Sequence, residues 1–278
     1  VRKEGALSIM KKNNILTYLL LLVSGFIIFF PLIYALLASF MPTIDIVTGK
    51  IIPSSIDLKN YKELIKIFPM GKFFTNSLIT SIAGMVSQVI ICSMTAYALV
   101  FVDFKNKKLV FLVVMLSMFI PWEAIFVPNY ITILKAGLIN TRIAIILPFL
   151  ANGLGTFLMI QQFKTLNRSL IEAAQIDGCS HFFIYSKIVM PLSKGVLSTW
   201  GIYSFLAMWN MYLWPLMVST RPESRTIQIG LKMLKSEEET NFGRLMAGVI
   251  LVIIPSLIIL FLGQKQLQKG LTSGATKE

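Results

Sequence analysis

An all-α membrane protein that crosses the bilayer six times is the fold class this chain predicts, and three observations carry it. Hydrophobic residues make up 55% of the 278 residues and charged residues only 14%, against about a quarter charged in a soluble domain. The charges gather between long apolar runs instead of spreading along them. The apolar runs reach or approach the roughly 20 residues an α-helix needs to cross the hydrocarbon core. Helices are expected over strands because lipid offers no hydrogen bonds to an open backbone, and the alternating pattern of barrel strands is missing.

The first span is expected over 15–40, with Pro31 inside it. The stretch before it, 1–14, carries Arg2, Lys3, Lys11 and Lys12. Basic residues before an apolar run also begin a signal peptide, but this run is about twice a signal-peptide core, so it reads as a retained helix. Segment 41–72 contains Pro42 and Pro53 and reads as an external loop leading into an amphipathic stretch, Leu58–Phe68. The second span, 73–101, is rich in small residues: Ser81, Ala83, Gly84, Ser87, Ser93, Thr95, Ala96 and Ala98. Small residues let membrane helices approach closely; they serve helix packing, the wall of a translocation path, or both. The third span, 109–131, carries Pro121 and Glu123. A carboxylate is costly in lipid, so Glu123 is expected to face protein or water. The fourth, 143–163, is broken by Pro148 and Asn152-Gly153; the fifth is 196–218; the sixth, 244–263, follows a polar external loop, 219–243. The organisation is therefore a segment 1–14, a membrane domain 15–263 and a tail 264–278. An even number of spans leaves both termini on one side.

The net charge of +13 reads as Lys and Arg at lipid headgroups, not as a nucleic-acid footprint. The 26 basic residues divide almost evenly between the two sides, so the charge rule does not set the orientation. Cys92 falls mid-span and Cys179 in a loop, so no disulfide is expected between them, and with His181 the only histidine there is no Cys/His metal set. No G-x-x-x-x-G-K-[ST] phosphate loop, G-x-S-x-G elbow or H-E-x-x-H pair occurs. The chain is expected to be no enzyme and to hold no cofactor or metal.

The loop between spans four and five, 164–195, contains EAAQIDGCSHFFIYSKIVMP, residues 172–191. A helix is predicted from about Ser169 to Asp177, with Ser169 and Glu172 at capping-box spacing and Gly178 as its C-terminal stop. A second helix is predicted to about Val189, ending near Pro191. Ala173 and Ala174 offer a low face for a partner, Glu172 and Asp177 supply charge, and Phe182, Phe183 and Tyr185 supply apolar anchors. Alone, this reads either as a docking surface or as an amphipathic interfacial helix.

The spacing resembles the EAA motif of permease subunits of ATP-binding-cassette importers: Glu-Ala-Ala, three residues, Gly, nine residues, Ile, one residue, Leu-Pro. Glu172, Ala173, Ala174, Gly178, Ile188 and Pro191 match, and Met190 replaces Leu at similar volume. The likeness runs over nearly the whole chain and is nearest the carbohydrate, maltose-system-like branch. Further matches are Ala96-Tyr97-Ala98, Pro128 with Asn140-Thr141, Asp177-Gly178, Trp209-Asn210 with Pro215, Met246-Ala247, and Gly270-Leu271, Gly274-Ala275 and Lys277 near the end. The resemblance implies a type I importer permease fold with cytoplasmic termini in a bacterial or archaeal cytoplasmic membrane. It implies that Glu172, Ala173, Ala174, Asp177, Gly178, Ile188 and Pro191 couple to an ATPase subunit that binds ATP and Mg. The implied assembly adds a second homologous permease, two ATPase subunits, an extracytoplasmic solute-binding protein and a carbohydrate substrate. A permease of the same superfamily for glycerol phosphate or a peptide is the alternative. An ATPase-independent secondary transporter is a further one, disfavoured by the motif.

Aromatic faces with amide or hydroxyl partners suit a sugar, which makes Trp209, Asn210, Tyr212 and Trp214 of span five and Asn152 of span four the substrate-path candidates. The rings also fit an interfacial aromatic belt, and the amides also fit bonds to a neighbouring helix.

Overall fold

The structure, a computed structural model, describes residues 2–235 and 241–272, with side chains described for 15, 17–235 and 241–264. Glu237, Glu238 and Glu239 of the external loop, and Gly274, Ala275 and Lys277 of the family ending, lie outside the described residues. All regular structure among the described residues is helical. The chain divides into two compact units, Val1–Phe68 with Met233–Leu251, and Pro69–Lys232 with Val252–Glu278.

In the first unit, helix α1 (Arg2–Ser39) contains an apolar stretch, Thr17–Ser39, long enough to cross a membrane. Pro31 lies within it without ending it. Among its described side chains, those buried are Ala35, Ala38 and Ser39 in the last turns. A one-turn helix, α2 (Thr43–Val47), follows behind Pro42. The amphipathic stretch forms α3 (Lys59–Ile67), which buries Asn60 and Leu64. The Asn60 amide donates to the carbonyls of Ser39 (3.0 Å) and Met41 (2.9 Å), so α3 is stapled to the freed carbonyls at the end of α1. The Tyr61 hydroxyl adds a bond to Ser39 Oγ at 2.8 Å. Gly243 lies against the same Asn60, where a Cβ would come within 2.6 Å of its amide.

In the second unit, α4 (Met70–Phe101) is the central strut. Its small residues Ser77, Ser81, Gly84, Ser93 and Ala96 are buried, which is the packing use of small residues. Ile79, Ile82, Val86, Ile90 and Met94 form an exposed stripe at three- and four-residue spacing, an apolar face suited to lipid or another membrane chain. Then come α5 (Lys107–Leu116), α6 (Trp122–Lys135), α7 (Arg142–Ile146), α8 (Gly153–Lys164), α9 (Arg168–Ile176), α10 (His181–Phe183), α11 (Met190–Leu192), α12 (Lys194–Trp209) and α13 (Leu213–Val218), while α14 (Ile227–Lys235) and α15 (Phe242–Thr272) contribute residues to both units.

Close approach explains several glycines. A Cβ on Gly155 of α8 would collide with the Trp200 ring of α12. One on Gly263 of α15 would collide with Ile202. One on Gly84 would press on Met208 at 3.0 Å.

Three predicted spans are not single helices. The run 109–131 bends by 102° between the α5 stretch, Lys107–Phe119, and α6. Pro121 has no N–H and drives Ile120 to extended backbone, with ψ 112. The run 143–163 bends by 49° between Arg142–Phe149 and α8, after Pro148 and at the Asn152 cap. The run 196–218 is interrupted at Asn210–Tyr212, leaving α12 with 16 residues and α13 with 6. By length and composition, three described helices can cross a membrane, and counting each bent pair as one crossing gives up to five.

Candidate functional site

The loop 164–195 begins with α9, whose cap differs from the predicted one. Asn167, not Ser169, is the N-cap: its Oδ1 accepts from the Ser169 amide (3.1 Å) and hydroxyl (2.9 Å). Ser169 is thereby drawn into the first turn, and no Ser169–Glu172 capping box forms. The stop at Gly178 has a clear cause. Gly178 adopts φ +77, a left-handed conformation in which a side chain is strained. The Cys179 N–H bonds to the Ala174 carbonyl (2.9 Å) and the Gly178 N–H to that of Gln175 (3.0 Å). This is the Schellman pattern.

The second helix ends beside Pro191, as predicted: Ser180 caps it, it runs without interruption from His181 to Leu192, and its stretch Ile184–Val189 is π-helical. The chain turns at Ser193 and enters α12 directly.

The loop has two faces. Inward, Ile171, Ala174, Ile184, Tyr185 and Val189 are buried against Ala96, Tyr97 and Val100 of α4 and Phe163 of α8, with Ile188 partly buried beside them. Ala174 and Tyr185 therefore belong to the packing face, not to the exposed face expected of them; Tyr185 OH lies 2.7 Å from Ser93 Oγ. His181 Nδ1 lies 3.1 Å from Tyr97 OH. Outward, Glu172, Ala173, Gln175, Asp177, Gly178 and Pro191 are exposed. Three large apolar side chains stand among them: Ile176 at 87% exposed, Phe182 at 71%, and Phe183. Glu172 also borders a shallow cleft of about 190 Å³ with Asp103, Lys107 and Arg168. The outward face of this packed loop thus combines exposed large apolar side chains with two carboxylates, Glu172 and Asp177.

The path candidates separate by burial. Trp209 and Trp214 are core residues: both rings are buried, and their indole N–H groups donate to the carbonyls of Val252 and Ala144, each at 3.0 Å. Trp214 packs edge-on to Trp122, Phe126 and Phe149. Asn210 is exposed and Tyr212 half-buried. Asn210 donates to Leu206 O (2.9 Å) and accepts from Gln228 Nε2 (3.3 Å). Exposed Asn152 caps α8 through the Gly155 amide at 3.2 Å. Asn152, Asn210 and Tyr212 all sit at helix breaks, and irregular backbone at membrane depth is tolerated where it meets protein or lines a cavity.

One polar centre was visible only as a family dipeptide. Asn140, at φ 67, accepts on Oδ1 from Thr220 Oγ1 (3.1 Å), Arg221 N (2.8 Å) and Ser224 Oγ (3.0 Å). Asn76 near the start of α4 accepts from Arg142 Nε (2.9 Å) and donates to the carbonyls of Glu223 and Arg225. No local signal reveals pairings across 66 to 149 residues.

Long apolar helices, several of them bent or broken, are those of a multi-pass membrane protein. The chain belongs to the family of binding-protein-dependent transport system inner membrane components, whose pattern it matches over residues 88–273. It is 34% identical to the arabinooligosaccharides transport system permease protein AraQ of Halalkalibacterium halodurans, covering 96% of this chain and 99% of that one. It is 31% identical to the sn-glycerol-3-phosphate transport system permease protein UgpE of Brucella melitensis, over 93% of this chain and 96% of that one. Its fold matches a chain of a bacterial ABC transporter involved in alginate import, with TM-score 0.82 and 23% identity, over 91% of this chain and 96% of that one. The fold is thus that of a type I ABC importer permease.

Proposed function

We propose that this permease forms half of the translocation path of an ATP-driven carbohydrate importer in a bacterial or archaeal cytoplasmic membrane. A second homologous permease supplies the other half, and an extracytoplasmic solute-binding protein delivers the sugar. Two separate ATPase subunits hold ATP and Mg; this chain does no chemistry. The observation that carries the coupling role is the outward face of 172–191: Ile176, Phe182 and Phe183 exposed beside Glu172 and Asp177 on a packed platform.

In this reading the docking residues are Glu172, Ala173, Asp177, Gly178 and Pro191, while Ala174 and Ile188 hold the platform in place. The loop, 1–14 and 264–278 share the cytoplasmic side, and 15–263 makes six crossings, with α12 and α13 forming one bent at Asn210–Tyr212. Asn152, Asn210 and Tyr212 are the path candidates with accessible groups, and Trp209 and Trp214 support them from behind. The relative that handles arabinooligosaccharides favours a sugar cargo. The glycerol-phosphate relative supports a second reading, a phosphorylated polyol.

Uptake by the reconstituted importer tests the coupling. Glu172→Lys and Gly178→Asp are expected to abolish uptake while leaving membrane insertion intact. Normal uptake with normal ATPase coupling in both variants would overturn the docking role. Competition of uptake by arabinooligosaccharides against glycerol 3-phosphate separates the two cargo readings.

A further inference from the structure

The loop between α1 and α3 presents an apolar surface that neither packing nor transport accounts for. Ile44, Val47, Ile51, Ile52, Ile56 and Leu58 all point outward, with Ile52 79% exposed and Ile56 76%. A water-facing loop rarely shows so many large aliphatic side chains together.

This surface is held in place. Asp45, 1% exposed, accepts from Lys50 Nζ (2.8 Å), from the Ser54 amide (2.8 Å) and from the Ser54 hydroxyl, closing the segment 45–54 on one carboxylate. The Lys50 ammonium, then the Ser54 hydroxyl and amide, hold that carboxyl down to about 2 from its ordinary 3.8. Asp57 N donates to Phe40 O at 3.1 Å, and Asn60 bonds the Ser39 and Met41 carbonyls. The loop is therefore tied to the last turn of α1, where the apolar span Thr17–Ser39 ends. That is the depth of the membrane–water boundary.

We propose that residues 44–58 form an interfacial anchor, with Ile51, Ile52 and Ile56 immersed at the edge of the bilayer and Lys50 and Lys59 at lipid phosphates. Position and composition favour lipid over a protein partner. Protein-binding centres are enriched in Trp, Tyr and Arg and depleted in Lys. This patch has no outward aromatic or Arg, and exposed Lys50 and Lys59, paired with Asp45 and Glu63, flank its isoleucines together with exposed Asp57. Aliphatic insertion beside lysines suits an anionic lipid surface.

The test uses the assembled importer in nanodiscs of phosphatidylethanolamine and phosphatidylglycerol, with Cys92 and Cys179 replaced by alanine. A nitroxide is attached at Ile52→Cys and, separately, at Ile56→Cys. Collision rates with oxygen and with a water-soluble nickel chelate are then compared. High oxygen and low nickel access at both sites is the expected result. High nickel access would place the loop in water and overturn the proposal. Low access to both reagents would mean that protein covers the patch, and would also overturn it. Asp45→Asn is expected to raise nickel access at Ile52 several-fold by releasing the loop; an unchanged value would remove Asp45 from the account.

Discussion

The two ends of α4 are held by different chemistry. Near its C-terminal end, the docking platform sits on apolar surface: Ile171, Ala174, Ile184 and Val189 against Ala96 and Val100. Among the described residues, the polar contacts between this loop and α4 are those of the phenols, Tyr185 with Ser93 and Tyr97 with His181. Near its N-terminal end, roughly 30 Å away at 1.5 Å per residue, Asn76 and Ser77 hold the loops by directed bonds. Ser77 Oγ accepts from Ile227 N at 2.8 Å, Asn76 takes Arg142, Glu223 and Arg225, and Asn140 gathers 220–224. Apolar contact is non-directional and tolerates small sliding. Hydrogen bonds demand distance and angle together. The C-terminal end of α4 is thus held by packing, and the N-terminal end by bonds that fix its loops in one geometry.

Ile184→Ala is the largest expected break in this comparison. It empties a fully buried site of the platform and is expected to destabilise the permease by about 3 kcal/mol, read as a lowered melting temperature in detergent micelles. Asn140→Ala is expected to cost about 2 kcal/mol, from its lost acceptor bonds and an alanine forced to φ 67. Asn140→Gly removes the backbone strain and isolates the bonds, so the gap between the two variants sharpens the polar assignment. A larger loss at Asn140 than at Ile184 would reverse the comparison. Tyr185→Phe is expected to cost only about 1 kcal/mol, because Ser93 keeps its bond to Val89 O at 2.6 Å.

The smallest effect concerns acid. Asp45 has a depressed pKa, so its contribution to stability is fully present above the ordinary carboxylate value near 3.8 and is lost as pH falls through about 2. Between pH 7 and pH 4 the 45–54 loop is expected to stay closed, with unchanged protection of the Ser54 amide in hydrogen exchange. Loss of that protection already at pH 5 would contradict the bonding described.

Much of the site was legible because its chemistry is local. Gly178 reads as a stop because only a residue without a Cβ sits easily at φ +77. Pro148 and Asn152-Gly153 mark a break wherever they occur in an apolar run. The motif spacing singled out residues of 172–191 that match a known pattern. It did not show which of them face outward: Ala173 and Ala174 are adjacent and alike, yet the helix turns one to solvent and the other into the core. Asn167 was a findable cap, since Asn just before a helical run is among the preferred N-caps, but the nearby Ser169–Glu172 spacing competed with it.

Apolar length, proline and glycine positions and the EAA spacing are properties of consecutive residues, so the sequence by itself determined the membrane class, the helix breaks and the family. The faces of the loop 164–195, the burial of Trp209 and Trp214, the Asn140 centre and the closure of 45–54 were decided only by the tertiary structure. The burials and the Asn140 centre depend on partners dozens of residues away. The closure on Asp45 is short in sequence, but it depends on how the loop folds back onto the end of α1, and no spacing rule encodes that.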